Sequence, residues 1–175
     1  MIARRLLALG LAALLASCAS PQPADYAAEK PRLDLKTYFN GELVAHGLFT
    51  DRSGKVQRRF TVALTGRWNG NQGTLDERFS YNDGHTEQRV WHLVDQGGGR
   101  YSGRAEDVLG EAVGIAAGNA LNWRYTLKLP LDGTVYEVQF DDWMYQMDDR
   151  VLLNRATMSK FGFRLGEVTL SFYKP

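Results

Sequence analysis

The stretch FDDWMYQMDDR, Phe140 to Arg150, sets four aspartates among aromatic side chains and two methionines. Paired acids can do general acid–base work when one is held neutral and the other ionised. The same run also reads as a strand entering a turn, so strand register decides between these uses. With Asp132-Gly133 as a two-residue hairpin turn, Leu129 faces Tyr136, Leu127 faces Val138, Tyr125 faces Phe140 and Trp123 faces Asp142. With Asp148-Asp149 as the next turn, Met144 faces Leu153, Asp142 faces Arg155 and Glu137 faces Lys160. The two opposite-charge pairs favour this register, although Asp-Asp is a poorer turn than Asn-Gly and leaves a longer loop open. Asp142 then points inward between Trp123 and Arg155, and Asp141 points outward across from Arg124. An Asp142–Arg155 pair can be a buried pair that fixes register or the holder of a ligand headgroup. A catalytic role fits it least, because an arginine keeps a carboxylate ionised whereas a general acid needs its pKa raised.

A second feature is the small-residue run VLGEAVGIAAGNA. At period two, Gly110, Ala112, Gly114 and Ala116 share a face, which in a strand leaves room for a guest. At period four, Gly110, Gly114 and Gly118 align as in a closely packed helix. Glycine is poor in helix interiors, which favours a strand or an irregular crossing. Close backbone packing with no cavity is the plain alternative. The candidate ligand-binding set is therefore Trp123, Tyr125, Phe140, Asp142, Arg155, Gly110 and Gly114.

Other chemistry finds little support. The three histidines, His46, His85 and His92, have no ligand spacing, so no metal or cofactor is expected. There is no G-x-S-x-G elbow, and DQGGGR lacks the strand–turn–helix setting of a phosphate loop. No catalytic residue is assigned. A net charge of +1 with both signs interspersed argues against nucleic acid as a partner.

The elements that must position these residues are strands. Alternating runs recur between turn signals, among them Asp83-Gly84 and Asp132-Gly133. About nine or ten sequential antiparallel strands are too many for a small flat sheet, and closure removes the exposed edges. The expectation is an all-β, antiparallel up-and-down barrel of lipocalin-like form over residues 33–175, with a two-sheet sandwich as the alternative. No segment after the leader reads convincingly as a helix, the small-residue run aside.

The chain opens MIARRLLALGLAALLASCAS. Arg4 and Arg5 precede an apolar stretch too short to remain as a membrane-spanning helix. LASC, Leu15 to Cys18, resembles a lipobox, with small residues before the cut and a thiol after it to take a thioether-linked lipid. Residues 1–17 read as a lipoprotein signal peptide. Cys18, the single cysteine, is the lipidation site, and residues 18–32 form a flexible tether. No aspartate follows Cys18, which points to the outer membrane, facing the periplasm, with the lipid anchor as the contact to the bilayer.

Several stretches together resemble a family of proteobacterial lipoproteins, the domain-of-unknown-function family 3833. They are YFNGELVAHGLFTDRSGKVQRRF, RVWHL, GNALNWRYTLKLPLDG, FDDWMY and NRATMSKFGFRLGEV, from about Tyr38 to Phe172. The resemblance implies a cell-envelope lipoprotein with a barrel-like domain and carries over no catalytic residue. Genes of the family often neighbour lipid-modifying enzymes similar to cyclopropane-fatty-acid synthases, which implies acyl chains or lipids as the ligand. The expected function is thus a binding module for an apolar or lipid ligand. The alternatives are an assembly lipoprotein acting through its outer surface and, less supported, an enzyme on envelope lipid.

Overall fold

The computed structural model describes residues 20–131 and 133–175. The leader, Cys18 and Asp132 lie outside the described residues. Ten strands follow in chain order: β1 Gly41–Asp51, β2 Val56–Asn69, β3 Gln72–Tyr81, β4 Thr86–Gly97, β5 Arg100–Arg104, β6 Ala112–Ala117, β7 Ala120–Leu131, β8 Thr134–Gln146, β9 Val151–Lys160 and β10 Phe163–Tyr173. Each pairs antiparallel with its sequence neighbour, and β1 pairs with β10 from Val44↔Tyr173 to Asp51↔Gly166. The sheet therefore closes on itself as an up-and-down barrel, with every strand hydrogen-bonded on both sides. That is the all-β barrel expected from the turn spacing, and not a sandwich.

Alternation carries the closure. On β2 the inward positions Phe60, Val62 and Leu64 are buried, while Thr61 and Ala63 between them are exposed. On β9 Leu152, Asn154 and Ala156 are buried and Leu153 and Arg155 are exposed. A period of two with one apolar face needs a core on one side only, which a barrel wall provides.

The two ends of the barrel differ. At one end a four-residue helix, α1 Leu35–Tyr38, is capped by Asp34, whose carboxylate accepts from the Thr37 amide at 2.9 Å. Leu33, Leu35, Tyr38 and Phe39 are all buried there. Tyr38 Oη donates to the Arg150 carbonyl at 3.0 Å, and the Phe39 ring meets Phe172 edge-on at 5.5 Å. This segment plugs the barrel. Four residues are too few to show helical periodicity, which is why the sequence does not announce α1.

Ahead of the plug, Pro23–Tyr26 forms a 3₁₀ turn. Tyr26 packs on the outward rings of Trp143 and Tyr145, with centroids 5.8 and 5.3 Å away. The Leu33 amide donates to the Gly118 carbonyl at 2.9 Å. Residues 23–33, much of the stretch that reads as a flexible tether, thus lie along the outer wall at the plugged end.

The hairpin joining β7 and β8 has the register expected of a two-residue turn. Leu129↔Tyr136, Leu127↔Val138, Tyr125↔Phe140 and Trp123↔Asp142 are all partners, and Gly133 has φ +75°. The next hairpin does not follow expectation. β8 and β9 pair as Met144↔Asn154, Trp143↔Arg155 and Asp142↔Ala156, one residue away from the register read with Asp148-Asp149 as the turn. Asp148 acts instead as a cap, accepting from the amides of Arg150 at 2.8 Å and Val151 at 2.7 Å, so the loop is longer. A slip of one residue sends a side chain to the other face of the sheet. Arg155 therefore lies outside the barrel, where its Nε donates to Glu167 at 2.7 Å, and the Asp142–Arg155 pair does not form.

The small-residue run is a short strand after an irregular crossing. Val108 bridges to Leu127, and β6 begins only at Ala112. Gly114 is inward, but the space it leaves is filled: a Cβ there would stand 2.4 Å from Cε3 of Trp123. Gly110 sits in the crossing at φ +71° with open space around it and takes no part in the interior. The close-packing alternative holds for Gly114, whereas Gly110 serves the turn of the crossing through its positive φ.

Candidate functional site

The barrel encloses a cavity of about 1750 Å³, open at the end opposite the plug. Ten strands make a wider barrel than the eight that just fit side chains or one small ligand. Its wall is mostly apolar, with Val62, Leu75, Leu127, Val138, Met158 and Val168 among the lining residues. At the mouth, Tyr81 donates to Glu87 at 2.9 Å and lies beneath the Arg58 guanidinium, 4.2 Å from its ring centroid. Leu131, Val135 and Leu165 form part of the rim. Phe161 and Phe163, in the β9–β10 hairpin at the same end, are 84% and 76% exposed.

Aromatic rings gather inside. Trp91 meets Trp123 and Tyr125 edge-on at 5.7 and 5.4 Å, and Tyr125 stacks on Phe140 at 4.9 Å. Next to them lies a charged cluster. Glu77 on β3 and Arg89 on β4 are direct cross-strand partners, with Arg89 Nη1 3.8 Å from Glu77 Oε2. Arg89 also donates through Nε and Nη2 to Asp107 Oδ2, both at 2.8 Å. Asp107 comes from the crossing between β5 and β6, held there because the Lys128 amide donates to its carbonyl at 2.7 Å.

Asp142 points into the same cavity and is 7% exposed. Its strand partners are Trp123 on one side and the small Ala156 on the other. Its Oδ1 is buried with no hydrogen-bond partner. Burial pushes its pKa well above the usual carboxylate range, against the pull of Arg89 and with help from Asp141 and Glu77. Glu77 is pushed up to about 7, again mainly by burial, with Arg89 opposing. The neighbouring Tyr125 hydroxyl is raised by burial and by Asp142.

Of the residues singled out from sequence, Trp123, Tyr125, Phe140 and Asp142 come together on the cavity wall. Arg155, Gly110 and Gly114 do not join them. Sequence reasoning missed Glu77, Arg89 and Asp107. The first two escape the two-residue rule: Asp83-Gly84 taken as such a turn sets Glu77 opposite Val90, whereas the chain closes a three-residue loop between Tyr81 and His85 and sets Glu77 opposite Arg89 and Leu75 opposite Trp91. Asp107, in an irregular crossing, gives no periodic signal. Among the described residues, no group of three or more His, Cys, Asp or Glu side chains is placed to hold a metal ion.

A pH dependence follows from Glu77. Its carboxyl takes up protons at higher pH when folded (about 7) than its ordinary value of 4.5. The folded state therefore binds more protons between these values, and stability is lost as pH rises through that window. At about 1.4 kcal/mol per pKa unit the loss is roughly 3 kcal/mol. Asp142 contributes with the same sign. Urea unfolding of the wild type should thus give a lower midpoint at pH 8 than at pH 5, and Glu77→Gln should remove part of that difference, leaving the share that Asp142 contributes. A midpoint rising across this range would show that Glu77 is hydrated or well paired.

Fold and site together define a class: a closed antiparallel barrel, plugged at one end, whose apolar cavity holds a buried cluster of charged groups. The chain belongs to the family described as "Protein of unknown function (DUF3833)", whose model matches residues 12–174. Among solved structures it is similar to a protein of unknown function from the DUF3598 family of Nostoc punctiforme, with a TM-score of 0.58 and 12% identity. That match covers 85% of this chain and 51% of the other, so the chain spans about half the length of that relative. A designed fluorescence-activating β-barrel is also similar, with a TM-score of 0.42 and 12% identity over 82% of this chain and 99% of the design. These are likenesses of fold. No curated protein matches the chain.

Proposed function

We propose that this protein is a cell-envelope lipoprotein, lipocalin-like in form, whose barrel holds an apolar or lipid guest. The observation that carries the reading is the cavity of about 1750 Å³, apolar along its wall and open at one end. Ligand pockets are of this kind, mostly apolar with a few convergent polar groups. The leader and Cys18 support membrane attachment through a lipid, in the outer membrane and facing the periplasm. Because residues 23–33 dock beside Gly118 at the plugged end, such an anchor would hold that end towards the bilayer and the mouth away from it.

Native mass spectrometry of residues 19–175, followed by solvent extraction, tests the cavity reading. A stoichiometric, lipid-sized adduct is the expected result. A clean apo mass that persists after incubation with envelope lipids would sink it. An enzymatic reading has one observation in its favour, the Glu77 carboxyl held near 7 in a cleft. The described cavity lining, however, offers no serine, threonine or cysteine as nucleophile. An assembly role would draw instead on the exposed Phe161 and Phe163 at the rim.

A further inference from the structure

We propose that the inner end of the cavity is a cation site, in which Asp142 and the surrounding rings of Trp123, Tyr125 and Phe140 take the ammonium group of a long-chain amine. This rests on the cavity reading above and names the chemistry of the guest's polar end. Three observations carry it.

The first is the orphan acid. Buried polar groups are almost always paired, and an unpaired carboxylate oxygen is the costliest exception, one that a partner from outside the chain would relieve. Asp142 Oδ1 is buried and unpartnered in a residue that lines the cavity, and its β9 strand partner is the small Ala156.

The second is the charge balance. Glu77, Asp107 and Asp142 face one guanidinium, that of Arg89. The Nε and Nη2 of Arg89 are already committed to Asp107 at 2.8 Å. A carboxylate or phosphate headgroup would have to displace Asp107 and then sit among the remaining acids. A cation meets the opposite situation, since it supplies the charge the cluster lacks.

The third is the aromatic setting. Trp91, Trp123, Tyr125 and Phe140 form a contiguous group of rings at centroid separations of 5.7, 5.4 and 4.9 Å. Ring faces attract ammonium groups, more so where water is excluded. A neutral hydroxyl or carbonyl gains nothing comparable from them.

Pairing with an ammonium requires Asp142 to give up its proton. The charged and titratable groups around it set how readily that occurs. They are Glu77 on β3, Arg89 on β4, Asp107 in the crossing, Tyr125 on β7 and Asp141 on its own strand; the β9 neighbours Ala156 and Asn154 do not titrate. Burial favours the protonated form of Asp142, so amine affinity increases with rising pH and binding releases a proton.

The test compares decylamine, decanol and decanoate, each below its micelle concentration, by calorimetry on the purified protein, with Trp91 and Trp123 emission as a second readout. At pH 7.5, decylamine should bind at least tenfold more tightly than decanol, with decanoate weakest. Asp142→Asn should reduce decylamine affinity at least tenfold and change decanol less than threefold. Calorimetry of the wild type in buffers of different ionisation enthalpy should show proton release on amine binding, a measurement that needs no variant. Tightest binding of decanoate, or absence of proton release, would overturn the cation site while leaving the cavity reading in place. Failure of all three chains to bind would remove both.

Discussion

Replacing Arg89 with methionine should cost about 3–5 kcal/mol of folding stability at pH 8, the range for breaking a buried ion pair on one side. Methionine keeps much of the stem and removes the charge. Glu77 then loses its cross-strand partner, and Asp107 loses a two-nitrogen contact at 2.8 Å. The side chains of Glu77 and Arg89 are 12% and 17% exposed, so water makes up little of the loss there. Asp107, 37% exposed, can rehydrate in part. At pH 5, where Glu77 carries its proton, the penalty should fall to about half. The double variant Glu77→Gln with Arg89→Met should recover part of the loss, since the orphaned acid is gone. Urea midpoints at the two pH values decide the matter. A loss under about 1 kcal/mol, equal at both pH values, would mean that the cluster behaves as a surface pair, bathed by water in the cavity.

The same cluster shows what was legible in the sequence and what was not. Asp132-Gly133 fixed the β7–β8 register because glycine at Gly133 takes positive φ without a Cβ penalty, and every partner along that hairpin followed. That placed Trp123, Tyr125, Phe140 and Asp142 on one inward row. The β8–β9 hairpin defeated the same reasoning because Asp148 spends its carboxylate on the amides of Arg150 and Val151. A side-chain cap of this kind changes loop length by a residue, and a residue is enough to turn Arg155 from the interior to Glu167 outside. The Glu137 and Lys160 pairing that made the shorter turn attractive is not a strand pairing at all; Lys160 donates to the Glu137 carbonyl at 3.3 Å and pairs along β10 with Phe163. Exposed pairs of this type contribute little, so they are weak arbiters of register.

The barrel wall was legible because alternation repeats on every strand, whereas the plug was not. A four-residue helix and a 3₁₀ turn have no period to read, and their value lies in long-range contacts. Tyr38, for instance, reaches Arg150 and Phe172 across more than a hundred residues of chain. The plug also explains how a barrel this wide can hold both a cavity and a core. Phe39, Leu35 and Tyr38 supply the packed layer at one end, and the cluster around Arg89 and Asp142 lies above it in the open part.

That division makes Gly66→Ala the most informative change away from the cluster. Gly66 lies on β2 opposite Gly41, where the chain leaves the plug and enters β1. A Cβ at this position would stand 1.8 Å from the Phe39 carbonyl oxygen and 2.7 Å from its carbon. Both are backbone atoms, so no rotamer change relieves the clash. The plug must shift by more than an ångström or leave. Leaving exposes Leu33, Leu35, Tyr38 and Phe39, at about 1.5–3 kcal/mol for each large apolar side chain fully exposed. A partial shift keeps some of that burial, so the expected loss is about 3–5 kcal/mol, close to a large-to-small change in the core. Hydrogen exchange locates the damage. The amides of Tyr38 and Phe39, bonded to the carbonyls of Asp34 and Leu35 at 2.9 Å, should exchange much faster in the variant. Central amides of β8 and β9 should keep their protection relative to the lowered global stability. Uniform acceleration everywhere would mean that the plug and the wall unfold as one unit. A stability change under 1 kcal/mol would mean that the Phe39 backbone has room to move without undocking. Where the plug does come away, the cavity opens at both ends, and an environment-sensitive dye bound inside should dissociate faster from Gly66→Ala than from the wild type.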